Sequence, residues 1–316
     1  MSQIGYMFVA AGLAAYGSAM FHLMTHAFFK ALLFLAAGIV IHALAGEQDM
    51  RKMGGLRERL PRTYRAMLIG CLALAGIFPF SGFWSKDSII ASALASDAYG
   101  IVLGIVALGG VFLTALYTFR MLFLVFGGEP SPYVREHLHL PERTQPNLWM
   151  AWTVGVLAVG AVCAGWLQVA GVWHPFTDWL EPVAAPQVEP SVLLDWVTSV
   201  ISMSLAIGGI ALAWATYSTR RVPIPRAAAW RQLFEHKFYF DELYDLLFYR
   251  PAAAISRALY RGVEGPLVSG SIDATATGVR ELGRTSTLVQ TGFLRLYALA
   301  LMAGLTLLVV LFVAFR

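Results

Sequence analysis

Two short stretches place proton-holding side chains among apolar residues. The first is "FHLMTHAFFK", residues 21–30, in which His22, His26 and Lys30 stand four apart. On a helix that spacing puts all three on one face, a turn above one another. Between residues 1 and 46 Lys30 is the only formal charge. A lysine in the middle of an apolar span costs about 2.5–3.5 kcal/mol on insertion scales, so its presence asks for a reason. Lysine can act as proton donor and acceptor when buried, and histidine exchanges protons readily near neutral pH. Three such groups at one-turn spacing form a candidate proton wire. Plainer readings stand beside it: His22 as a helix–helix hydrogen-bonding group, Lys30 as a structural group, or the histidine pair as a metal site. The stretch has no HExxH and residues 4–45 hold no carboxylate, which argues against metal.

The second stretch is "FPFSGFWSKDSII", residues 78–90, with Lys86 and Asp87 side by side. It lies in an apolar run, 66–94, that would extend about 43 Å as a straight helix against about 30 Å of hydrocarbon. Pro79 removes a backbone donor and Gly82 permits unusual dihedrals. The expectation is a break over "FPFSGFWSKD" between two half-helices, with Lys86 and Asp87 at its C-terminal edge. Non-helical backbone at membrane depth is tolerated where protein buries it or where it lines a wet cavity, and discontinuous helices mark ion sites in transporters. A simple proline kink beside a local Lys–Asp pair is the bland alternative.

The elements that must position these residues follow from hydropathy. The chain has 316 residues, 58% of them apolar and 13% charged, with a mean hydropathy of +0.65. Soluble domains average about 25% charged residues. The nearly charge-free windows predict spans at 4–15, 20–45, 66–94, 99–126, 148–172, 193–217 and 293–315; the first is short for a full crossing. A soluble core does not repeat uncharged runs of this length. The start "MSQIGYMFVAAG" has no basic n-region, so no secretory leader is expected. Cys71 and Cys163 both fall within spans and read as small core residues without disulfide or metal spacing.

Loop charge sets the expected orientation. Arg51, Lys52, Arg57, Arg59, Arg62 and Arg65 fall between the second and third spans. Arg135 and Arg143 fall between the fourth and fifth, and Arg220, Arg221, Arg226 and Arg231 follow the sixth. The intervening loops carry Asp97, and then Asp178, Glu181, Glu189 and Asp195, with no base. The basic loops are therefore expected to face the cytoplasm. The net charge of +4 is then a topology signal and calls for no nucleic acid. Residues 225–291 are neither a short loop nor a span. "WRQLFEHKFYFDELYDLLFYR" mixes aromatic and charged residues near helical spacing and reads as an amphipathic surface helix on the cytoplasmic side. Pro251, Pro266 and "SGSIDATATG" are expected to interrupt or bend it. The fold class expected is all-α: a polytopic membrane helix bundle of about seven spans with one broken helix and an amphipathic surface helix on the cytoplasmic side before the last span.

With "MSQIGYMF", "FHLMTHAFFKALLFLAAG", "MRKMGGLRERLP", "FPFSGFWSKDSII", "LYTFRMLFLVF" and "FDELYDLLFYRP", the chain resembles, over essentially its whole length, the subunit L family of bacterial NADH-quinone oxidoreductase, respiratory complex I. Mrp-type sodium/proton antiporter subunits share the "HAFFKALLF" and "SKD" regions and are the alternative; the tail after the sixth span tilts the resemblance toward subunit L. The resemblance implies a proton-translocating subunit of a translocase, in a bacterial inner membrane, coupled to electron transfer from NADH to quinone elsewhere. It makes Lys86 the terminal lysine facing the outer half-channel and Lys30 the central one. His26 and His22 relay protons, and Asp87 flanks Lys86 and tunes it. It implies no cofactor in this chain: NADH, flavin, iron–sulfur clusters and quinone belong to partner subunits, and the sequence offers no GxGxxG after a strand and no cysteine cluster. The partners implied are subunits M, N, K and J and the lipid bilayer. The domains implied are part of the second antiporter-like repeat at 1–127, two further spans at 128–220, a long lateral amphipathic helix at 221–292 and a C-terminal anchor at 293–316. The family's first inverted repeat has no counterpart here, so the expectation is a fragment, half of a split subunit, or an internal methionine taken as a start.

Overall fold

The computed structural model describes residues 1–138, 148–185, 188–223, 228–290 and 292–315. Arg143, Arg226 and the loop stretches around them lie outside the described residues. Among the described residues every extended element is helical; the one β-type pairing is an isolated bridge between Val169 and Trp173. Two compact units divide the chain, Met1–Ile224 and Pro225–Arg316.

In the first unit, α1 (Ser2–Gly12) and α2 (Tyr16–Ala43) are followed by α3 (Pro61–Ala75) and α4 (Ser81–Leu94). Next come α5 (Ala98–Phe126), the short α6 (Pro132–His137) and α7 (Leu148–Cys163). The short α8 (Pro175–Leu180) precedes α9 (Val192–Ala213), which runs on through a π-turn at Trp214–Ser218. Four segments of this unit are long and apolar enough to cross a bilayer: Tyr16–Ala43, Ala98–Phe126, Trp149–Leu167 and Val192–Ser218. The expected first span is α1, whose 11 residues rise about 16 Å and fall short of the hydrocarbon thickness. The expected fifth span ends at Leu167 and not at 172, because the chain tightens into a 3₁₀ turn at Ala164–Leu167 and reverses through the Val169–Trp173 bridge.

Helix α2 packs on α1, α3, α4 and α7, and α5 packs on α3, α4 and α9. The contacts rely on small residues, as helix pairs in lipid do. A Cβ on Gly70 of α3 would come within 2.8 Å of Leu33 of α2. One on Gly209 of α9 would meet the Phe112 carbonyl of α5 at 2.6 Å. Side-chain caps start several helices. Asp97 accepts from the Gly100 N–H, Ser131 from Val134 and Ser191 from Leu194, each satisfying an otherwise free donor. Asp97 is thus a helix cap as well as a loop charge. In the loop at 44–60, Arg51 binds Asp49 and holds its carboxyl down at about 2, and Lys52 bonds Glu47 at 2.6 Å. Cys71 is buried as expected; Cys163 is exposed, because it sits on the outward side of the last turn of α7, so it is not a core residue.

The second unit contains α10 (Ala228–Glu235), α11 (Phe240–Tyr244), α12 (Arg250–Leu259), α13 (Gly270–Val289) and α14 (Leu294–Ala314). Lys237, Phe238 and Tyr239 all have positive φ, and this is where the helical path breaks. From 240 to 289 the backbone stays helical, with π-turns at Asp245–Tyr249 and Tyr260–Ser269 between the α segments. Neither proline nor "SGSIDATATG" interrupts it. Pro251 follows the first π-turn and Pro266 lies inside the second. A π-turn widens the helix, which gives the proline ring room where a tight α-turn would clash with the carbonyl four residues back. Ile255, Leu259, Val263 and Leu267 stand four apart across the second π-turn. In α geometry that spacing drifts around the helix, and the extra residue per turn offsets the drift. The 21-residue α14 carries a single charge, Arg295 in its first turn, and is long and apolar enough to cross a bilayer.

Candidate functional site

The break between α3 and α4 organises the buried polar groups. Gly76 ends α3 in the left-handed region at φ 79°. The Gly76 N–H bonds the Ala73 carbonyl and the Ile77 N–H bonds that of Leu72, both at 3.1 Å. This is a Schellman closure, which satisfies two of the last four carbonyls of the helix. A third, Leu74 O, accepts from Lys86 Nζ at 2.7 Å. The lysine therefore caps the C-terminal end of the half-helix that precedes it, where the helix dipole favours a cation.

The break itself is five residues long, 76–80, with a cis Phe78–Pro79 bond. It lies nearer the N-terminus than the sequence pattern placed it: "SGFWSKD" is helical, and Lys86 sits in the second turn of α4. Gly82, expected to supply unusual dihedrals, is also helical. Its role is closeness, because a Cβ there would lie 1.8 Å from the Ala73 carbonyl. The two half-helices touch backbone to backbone, which brings the Leu74 carbonyl within reach of Lys86. Phe78, Phe83, Trp84 and Trp166 close the outside of the break with edge-to-face ring contacts of 5.0–6.0 Å between centroids.

Lys86 is fully buried. Besides Leu74 O, its ammonium lies 5.5 Å from the centre of the Tyr6 ring, a cation–π approach. The Tyr6 hydroxyl donates to Ala107 O of α5 at 2.7 Å, which fixes the ring. Asp87 does not pair with the lysine. Its side chain is 3% exposed and both oxygens lack a full hydrogen bond.

His22 is also fully buried. Its Nδ1 stands 2.9 Å from Ser85 Oγ and its Nε2 3.2 Å from Gln3 Oε1. Thr25 donates to Ser85 Oγ at 2.7 Å, and Ser85 also stands 3.2 Å from Ser81 O. The single Ser85 proton can serve either His22 Nδ1 or the Ser81 carbonyl, so the tautomer of His22 and the rotor of Ser85 are coupled. The helix places His22, His26 and Lys30 in one line as the spacing requires, but no hydrogen bond joins them. The His22 and His26 rings are 6.1 Å apart, and His26 stacks edge-on to Phe29 at 5.3 Å. His26 and Lys30 are half-buried, and the Lys30 ammonium lies 4.9 Å over the Phe34 ring. Through Ser85 the structure links His22 to the residue before Lys86; it does not link Lys30 directly to either. Among the described residues no group of three metal-ligating side chains gathers. Gln3, Tyr6, Thr25 and Ser85 were not singled out from the sequence. Their only signal is polarity inside apolar helices, and their pairing depends on which helices meet.

A membrane bundle with a helix broken at depth, and a buried lysine bound to the broken end beside a buried histidine network, is the kind of arrangement that marks ion sites in transporters. Residues 1–114 match the family described as "NADH:quinone oxidoreductase/Mrp antiporter, TM". Over nearly its whole length the chain is similar to NADH-quinone oxidoreductase subunit L. It is 40% identical to that of Mycobacterium tuberculosis over 313 residues, covering 96% of this chain and 48% of the relative. It is 36% identical to that of Neisseria meningitidis, covering 96% and 50%, and 34% identical to that of Rhodobacter capsulatus, covering 96% and 53%. The chain spans about half the length of the curated relatives it matches.

Proposed function

We propose that this chain is a proton-translocating part of a bacterial NADH-quinone oxidoreductase, working in the inner membrane with the other membrane subunits of that complex. The observation that carries the reading is the fully buried Lys86 on the Leu74 carbonyl at the break. A buried amine held by a carbonyl, with no counter-carboxylate bonded to it among the described residues, can take a proton from one side and release it to the other. His22, through Ser85, is the relay toward it, and His26 and Lys30 extend the line along α2. Asp87, on the far side of the lysine, receives the proton. Residues 1–127 form the channel and 128–220 support it. The helix at 240–289 braces neighbouring subunits, M, N, K and J, and α14 anchors it. Electron carriers reside in the partner subunits, and this chain moves protons only. The similarity over 96% of the chain to proteins named as subunit L favours this reading over an Mrp-type antiporter.

The test is deletion of the gene followed by assay of membrane vesicles. Proton uptake driven by NADH oxidation should fall, while NADH oxidation with an artificial acceptor persists, since electron entry lies in other subunits. Unchanged NADH-driven uptake together with loss of sodium/proton exchange under an imposed pH gradient would replace this reading with the antiporter one.

A further inference from the structure

Asp87 is buried with both oxygens unsatisfied, which is rare, since buried polar groups are nearly always partnered. It does not stand alone. Helix α9 packs against α4, and the hydroxyls of Ser202 and Ser199 reach toward the Asp87 carboxyl without closing a hydrogen bond of good geometry. Ser202 Oγ, Thr198 Oγ1 and Asp195 Oδ1 are likewise buried and unpartnered, as is Trp84 Nε1 on α4. Asp195, Thr198, Ser199 and Ser202 follow the three- and four-residue spacing of one helical face. One face of α9 therefore carries a row of polar side chains, three of them with unpartnered buried atoms, that ends at Asp87.

The other end of that row opens. A cavity of about 350 Å³ is lined by Trp84, Ser88, Asp178, Glu181, Asp195 and Ser199, among others. Several waters fit in such a volume, at about 30 Å³ each. Ser202 lies one turn deeper than its wall. The cavity runs along the Trp84, Ser88 and Ser92 face of α4 against the first turns of α9, beside the loop that carries acidic residues and no base. By loop charge this is the outer side.

We propose that the Asp195–Ser199–Ser202 face of α9 is the outward proton route from Asp87. The inference rests on the proton-transfer reading above and names the groups on its exit side. Lys86 loses a proton and Asp87 gains one through water between them: in net one N–H bond breaks and one O–H bond forms, leaving a neutral amine and a neutral acid. The acid passes that proton to water held between Ser202 and Ser199, and the Asp195 carboxylate takes a proton from that water chain. Each hop breaks one O–H bond and makes one. Asp195 then releases its proton to the cavity, where Asp178 and Glu181 keep the local charge negative. The serines carry no charge at any stage; they orient the water.

The experiment uses the assembled complex in membranes, with content matched on a native gel. Asp195→Asn should lower proton uptake per NADH to the level of Lys86→Met, and Asp195→Glu should retain most of it. Ser202→Cys, in a Cys163→Ala background, should react with a small membrane-impermeant thiol reagent added to the outer face, and Ser85→Cys should not. Normal uptake in Asp195→Asn with impaired Lys86→Met overturns the route while leaving the functional reading intact. Normal uptake in both overturns the two together. Failure of Ser202→Cys to label from outside overturns the route even if Asp195→Asn disrupts assembly.

Discussion

Replacing Lys86 separates proton transfer from structure. In Lys86→Met the side chain keeps nearly its length and volume, so no large cavity opens. The Leu74 carbonyl loses its 2.7 Å donor, and an unsatisfied buried acceptor costs about 1–3 kcal/mol. Against that, the variant no longer places an ammonium at depth, which is worth about 2.5–3.5 kcal/mol on insertion scales. The two terms nearly cancel, so assembled complex should persist at close to its normal level. Lys86→Arg restores a donor for Leu74 O but not a proton that can leave, because guanidinium stays charged at any accessible pH. If the lysine only caps the broken helix, proton uptake per assembled complex should stay normal in both variants. If it carries protons, both variants should take up fewer protons per NADH oxidised, with artificial-acceptor activity intact and content matched on a native gel. Normal uptake in both Lys86→Met and Lys86→Arg would refute the role assigned to this residue.

Gly82→Ala should deplete the complex, because its Cβ would meet the Ala73 carbonyl at 1.8 Å and overpacking of this kind costs about 1–3 kcal/mol or more. Gly38→Ala, with nothing within 4 Å, should leave content unchanged on the same gel. Lys30→Ala should reduce proton uptake less than Lys86→Met, since Lys30 is half-buried with its ammonium over the Phe34 ring; an equal loss would make it an obligatory station. Cysteines placed in the 51–65 loop should resist an impermeant thiol reagent on intact cells, and those at 178–189 should react; the reverse pattern would invert the topology. Photo-crosslinkers at Phe248 and Ile255 should reach other membrane subunits, and crosslinks confined to this chain would end the bracing role proposed for the 240–289 helix.

Uncharged runs of bilayer length made the spans legible, because hydrocarbon accepts little else. The break was legible too, though displaced by a few residues. "ALAGIFP" already held the better signal, a glycine at the helix end with proline three residues on. Gly82 drew the attention instead, and its requirement is steric, set by a partner backbone that sequence does not reveal. The tail prolines pointed to bends because an α-turn cannot hold them; the wider turn that does hold them is a local choice without a composition signature. Spacing alone placed His22, His26 and Lys30 on one face. Which of them is buried depended on α1 and α4 covering the first turns and not the rest. Cys163 looked like core by composition, but membership of a span does not tell which side faces the bundle.

The positions of Lys86 and Asp87 explain why a lysine and an aspartate can be neighbours in a membrane helix without neutralising each other. Residues i and i+1 diverge by about 100° around a helix and do not face one another. Lys86 turns to the broken end of α3 and the Tyr6 ring, and Asp87 turns to the serines of α9. A locked ion pair would be a poor carrier, because removing the proton would also cost the pair's attraction. Here the lysine is held by one carbonyl at the negative end of α3. The break in the helix is thus more than a gap in the span. It creates the free carbonyl that positions the lysine, and it lets two adjacent side chains turn to two separate sets of partners, Lys86 to the Leu74 carbonyl and Asp87 to the α9 hydroxyls.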